Sequence, residues 1–204
     1  MAFVGMRYVV WAPLEEETDG QAPVYGQGMV VGAGVSATVN IERNSEGQYG
    51  DDVLQESDNS IISMTIDLSV TDMEDEVGAA ILGLVKGEGT NEYLETDAQS
   101  PYGGLGYIRV RSRKGKTYFQ ARWIYKVQLG EPTETSQTKE RSISWQNVSL
   151  SGNAMAVKPN ANLVNVFRKK ETFATEKEAV DWLNALANIS GAAAASDAGF
   201  DDEA

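Results

Sequence analysis

The chain has 204 residues, enough for one sizeable core and short for two. It contains neither cysteine nor histidine, which removes disulfides, thiolate and imidazole metal sites, and nucleophilic triads built on either residue, leaving only carboxylate or lysine chemistry open to an enzyme. Its 30 acidic residues against 17 basic ones give a formal charge of −13, the opposite of the phosphate-neutralising surface of a duplex-DNA binder, although plain solubility also accounts for such a balance.

The opening Met1–Met6 stretch lacks a charged leader followed by an apolar run, so no secretory signal is expected there. The triplets at Asn147 and Asn188 therefore carry little weight as glycosylation acceptors. No apolar run reaches the length of a membrane-spanning helix. A short strand is predicted over 7–12. Gly26-Gln27-Gly28 with Gly32 and Gly34 superficially resembles a dinucleotide loop, but the spacing is wrong and strand-like residues follow, so a turn before a strand is expected.

Strict alternation then dominates. Val35, Ala37, Val39 and Ile41 alternate with polar residues, as do Ile62, Met64, Ile66, Leu68 and Val70, each set placing one face in a core. Between these strands lies a long polar connection, 42–59, with Tyr49, Val53 and Leu54 among the charges of Asp51, Asp52, Glu56 and Asp58. Long connections of this kind are often functional, and apolar residues on them either dock on a partner or pin the loop to its own domain. The acids there do not match the ligand spacing of a calcium loop, and two adjacent carboxylates are poor glycosidase partners.

Thr71-Asp72-Met73-Glu74 reads as a capping box, with Met73, Val77, Ile81 and Leu84 on one helical face and Gly87 as the stop. A hairpin is expected over 107–127, turning at Lys114-Gly115. On it Phe119, Ala121, Trp123, Tyr125 and Val127 form an apolar face. The polar face carries Arg109, Arg111 and Arg113, with Arg122 and Lys126 on the returning strand. That stripe is either an interface for an acidic neighbour or a solvated face relieved by cross-strand acids. Gly115-Lys116-Thr117 ends like a phosphate-binding loop but lacks the upstream glycine, where Val110 stands. Further strands are predicted over 142–151 and 163–169. Trp11, Trp123 and Trp145 are expected in the core. Thr175-Glu176-Lys177-Glu178 is another capping box, followed by Val180, Leu183, Leu186 and Ala187 on one face and Gly191 at the end. The expected architecture is mainly β, a β-sandwich or open barrel over 1–190 with two flanking helices, then a flexible acidic tail, 191–204.

Several segments, in this order, resemble the major tail (tail-tube) proteins of long-tailed siphophages of Gram-positive bacteria. They are Phe3-Val4-Gly5-Met6-Arg7-Tyr8, and Tyr49-Gly50-Asp51-Asp52 with the residues to Asp58, where Gly50 takes the place of an alanine. They continue with Tyr102-Gly103-Gly104 leading into 107–111, the hairpin at 118–126, Glu131-Pro132 with Gln137-Thr138-Lys139, and Thr172-Phe173-Ala174-Thr175 before the last helix. The resemblance implies a β-sandwich subunit that does no chemistry and binds no cofactor or metal. Such subunits join into rings, usually hexamers, which stack into a tube that conducts DNA without specific binding and lies in the virion. The implied partners are other copies, a tape measure protein, and terminator and distal tail proteins, with no membrane. Tyr49, Asp51, Asp52, Val53, Leu54, Glu56 and Asp58 would then make the contact between subunits or rings. A virion decoration or adhesin-type binding module, and a carboxylate glycosidase, are the competing expectations.

Overall fold

The computed structural model describes residues 2–45, 47–50, 53–89, 92–130 and 147–190. The predicted strand residues 142–146, Trp145, the loop at 131–139 and the tail 191–204 lie outside these.

The fold is mainly β with two helices. The strands are β1 (Ala2–Glu16), β2 (Val24–Tyr25), β3 (Met29–Gly32), β4 (Gly34–Arg43), β5 (Gly47–Gly50), β6 (Val53–Ser57) and β7 (Ile61–Val70), then β8 (Val85–Lys86), β9 (Tyr93–Leu94), β10 (Tyr102–Arg113), β11 (Lys116–Gly130), β12 (Val148–Met155) and β13 (Arg168–Phe173). Helix α1 (Asp75–Leu82) follows β7, and α2 (Glu176–Leu186) ends the described chain. One antiparallel sheet of nine strands runs β2-β1-β10-β11-β12-β7-β4, with β3 also on β1 and β13 also on β11.

The sheet curls on itself. Residues from both its ends, Val9 and Trp11 on β1 and Ile66 and Leu68 on β7, share one core with Tyr107 and Ile124. A Cβ built on Gly34 would lie 2.8 Å from Met6 Cε and 3.0 Å from Val9 Cγ2, so β4 and β1 approach through side chains. No ladder joins them among the described residues, which makes this an open barrel. Helix α1 adds Val77 and Ile81 to that core. A second core lies on the outer face, where Val10, Ile108, Ala121 and Trp123 pack against Ala179, Val180 and Leu183 of α2.

Strand β11 therefore buries both faces over its middle. A register shift between Gly103/Leu105 inserts one extra residue in β11, a β-bulge that reverses facing. Phe119, Ala121, Trp123 and Tyr125 share the α2 side, but Val127 joins the barrel core, contrary to the simple alternation. The same effect corrects Val35, which is 45% exposed: a shift between Gly34/Ser36 puts it off the face shared by Ala37, Val39 and Ile41. Ile62, at 60% exposed, also lies outside the core that Met64, Ile66, Leu68 and Val70 enter.

The Lys114-Gly115 turn forms as expected, with φ of 51° and 74°, the double positive φ of a tight hairpin. The Thr175 capping box forms too: Thr175 Oγ1 accepts from Glu178 N at 3.4 Å and Thr175 N donates to Glu178 Oε2 at 3.2 Å. The Thr71 box does not. Asp72 Oδ1 instead accepts from Met73 N, α1 starts after an N-cap Glu74 with no side-chain cap, and it stops at Gly83 (φ 75°) rather than Gly87. Helix α2 ends before Gly191, at Leu186 with Ala187 as C-cap. The strand expected over 163–169 begins later, at Arg168.

Candidate functional site: an edge strand, a hairpin and a basic sheet face

Strand β4 pairs with β7 along one side. Its other side carries no ladder among the described residues. It is ten residues long, with Ala37, Val39 and Ile41 turned to the core and Thr38 and Asn40 exposed. An unpaired edge of this length presents a row of backbone donors and acceptors to any strand that can align with it.

The connection that follows is not an open loop. β5 and β6 pair antiparallel, Gly47 with Ser57 and Gly50 with Val53, so the described part of 42–59 forms a hairpin between β4 and β7. Its base is clamped. Asn44 N donates to Ser60 O at 2.8 Å, and Arg43 Nη1 donates to Asn59 O at 2.9 Å. Asp58 takes Asn44 Nδ2 on Oδ2 and Ser60 N on Oδ1, both at 2.9 Å, plus Ser60 Oγ at 3.1 Å. Those bonds, first the one from Asn44, hold the Asp58 carboxyl below the usual carboxylate range. Asp58, although exposed, thus holds its own hairpin together. Asp51 and Asp52 lie outside the described residues, as do the side chains of Tyr49, Val53, Leu54 and Glu56, although Tyr49 is placed opposite Leu54 in the ladder.

The basic stripe is real but differently composed. Cross-strand partners share a face: Arg113 opposes Lys116, Arg111 opposes Tyr118, Arg109 opposes Gln120 and Tyr107 opposes Arg122. On the far side of β11, Thr172, Lys170 and Arg168 of β13 oppose Gln120, Arg122 and Ile124. Tyr107 and Ile124 belong to the barrel core, so this face continues the barrel interior past the end of β12, which pairs only with Lys126–Gly130 of β11. Seven cations stand on it: Arg109, Arg111, Arg113, Lys116, Arg122, Arg168 and Lys170. Lys126 is not one of them. The bulge turns it to the other side, where it pairs with Glu17 and lies 4.8 Å from the Tyr102 ring centroid.

Sequence reasoning missed Lys116, Arg168, Lys170 and Phe3. The Arg168-Lys169-Lys170 run was visible, but its pairing beside β11 was not. The Phe3 ring lies under the Arg109 guanidinium at 3.4 Å and near that of Arg111 at 5.1 Å. Gln120 Oε1 accepts from Arg122 Nε and Nη2, both at 3.3 Å. Among the described residues no carboxylate pairs with any of the seven. Arg111 Nε is buried without a hydrogen-bond partner. Burial pushes Arg109 below its ordinary value, and the charges of Arg122, Arg111 and Arg168 push it further. Arg168 is lowered by burial and by Arg122 and Arg43.

A recess of about 520 Å³ between β7, β11 and β12 holds Asp67, Gln128 and Asn153, and another of about 580 Å³ lies between β3 and α1 with Asp72 and Glu74 at its edge. Among the described residues no cluster of three or more acids could hold a metal ion, and no helix is long and apolar enough to cross a membrane. No family model and no curated protein matches the chain.

Proposed function

We propose that this chain is a virion structural subunit that does no chemistry. It polymerises through its sheet edges and the β5–β6 hairpin into the stacked rings of a phage tail tube. The observation that carries the reading is the edge of β4, unpaired among the described residues and followed by the β5–β6 hairpin. A long free edge is a liability in a monomer and an asset in a polymer, where a neighbour's strand satisfies its hydrogen bonds. A hairpin clamped at its base by Asp58 and Arg43 is a stiff arm suited to reaching the next copy. Partners are other copies, a tape measure protein, and terminator and distal tail proteins, and the location is the virion. The −13 charge keeps DNA moving through the lumen without adhesion. Negative-stain microscopy of the purified chain over rising concentration tests this: rings or tubes are expected. Isolated particles at every concentration overturn it in favour of a decoration or adhesin-type module.

A further inference from the structure

Resting on the self-assembly just proposed, we infer that the basic sheet face is the acceptor for the acidic hairpin of a second copy of this chain. Three observations carry it. First, the face is built and uncompensated. Arginines on β10, β11 and β13 crowd one another, stack on Phe3 and lean on Gln120, with Arg111 Nε buried and unpartnered. Like charges side by side on a sheet are unfavourable unless opposite charge meets them. Second, the rim of the face is accessible, with Arg113, Lys116 and Lys170 exposed although Gln120 at its centre is only 5% exposed. Its reverse side is covered by α2, while on its own side β12 ends at Met155 and β4 and β7 follow β12 rather than β13. Third, this chain itself carries matching charge on the segment that follows β4. Beyond the Asp58 clamp, residues 45–57 carry Glu46, Asp51, Asp52 and Glu56 and no cation.

A free polyanion fits less well. The rest of the surface carries the whole net negative charge and opposes its approach. A neighbouring hairpin delivers its carboxylates locally, with strand pairing along β4 to hold them. The contact is head-to-tail rather than self-complementary, because the donor hairpin and acceptor face are different parts of the chain. Such contacts propagate into rings or filaments.

The test is a charge swap read by sedimentation velocity and negative stain, with circular dichroism as the folding control. One variant reverses the acceptor at exposed positions, Arg113→Glu with Lys116→Glu and Lys170→Glu. A second reverses its centre, Arg109→Glu with Arg122→Glu. A third reverses the donor, Asp51→Lys with Asp52→Lys and Glu56→Lys. Each alone should weaken self-association by roughly ten-fold or more, and salt should weaken the wild type in the same direction. Mixing the first and third should restore association, since each then meets an opposite charge. Folded acceptor variants that assemble like wild type overturn the contact and leave the tail-tube reading standing. Failure of the mixture to recover also overturns the contact. Association that obeys the swap but stops at dimers keeps the contact and removes the tube, and a wild type that stays monomeric removes both. Binding of a DNA oligonucleotide that the acceptor variants lose, with self-association untouched, reassigns the face to a polyanion and overturns the second copy.

Discussion

Tyr25 shows how one hydroxyl ties distant chain together. It donates to Tyr125 O at 2.6 Å and accepts from Trp123 Nε1 at 3.3 Å, while its ring stands edge-on to Trp123 with centroids 5.1 Å apart. Burial pushes the hydroxyl well above its ordinary value, so it remains a neutral donor through the whole physiological range. Because the folded value is the raised one, this contribution is complete below the ordinary tyrosine value of about 10 and fades as pH climbs above it. Tyr25→Phe keeps the ring but orphans Tyr125 O and Trp123 Nε1. The expected loss is about 1–3 kcal/mol, read as a lower urea midpoint by tryptophan fluorescence. An unchanged midpoint would show that water replaces the hydroxyl. No sequence pattern marks Tyr25: it sits in a two-residue strand with no periodic run around it, and its partners are 98 and 100 residues away.

At the scale of elements, the start of β10 is shaped by two tryptophans on opposite faces. A Cβ on Gly103 would collide with the Trp11 indole, and one on Gly104 would collide with Trp123 Cζ2. Trp11 belongs to the barrel core and Trp123 to the core under α2. Adjacent glycines therefore let one strand pass between two large rings. Gly104→Ala should cost about 1–3 kcal/mol through overpacking, seen as a drop in Tm. A Tm equal to wild type would mean that the Trp123 ring moves freely aside. The glycine pair was legible in the sequence as a motif, and so were most strands, because Met64, Ile66 and Leu68 obey a period of two. What failed was parity. A single bulge turned Val127 inward and Lys126 outward, and a bulge has no composition signature in Tyr125-Lys126. The false capping box at Thr71 fails for a related reason: Asp72 turns back on Met73 N before a helix can start. The seven-cation face was half legible. Arg109, Arg111, Arg113 and Arg122 follow from hairpin register, but Arg168 and Lys170 need the long-range pairing of β13 with β11.

For the whole molecule, what folds the chain separates from what is proposed to join it to other copies. The described part of the 42–59 hairpin divides at Asp58. The bonds from Asn44, Ser60 and Arg43 belong to the barrel end, and β5 and β6 lie beyond them. A deletion of residues 47–57 removes both short strands but leaves Asn44 paired with Ser60 around a four-residue connection, a length common in hairpins. Both strands lie beyond the clamped base of the hairpin, so the monomer should keep its Tm to within a few degrees, since the cost of closing the shorter loop is small. Assembly should be abolished, because the deletion removes the arm and three of the four carboxylates that would meet the basic face, Asp51, Asp52 and Glu56. A broader deletion that also took Asp58 would confuse the two effects by unclamping β4 from β7. If the 47–57 deletion forms normal rings or tubes, joining rests on the β4 edge alone. If it unfolds, the hairpin serves the fold and the edge strand needs it to stay in place.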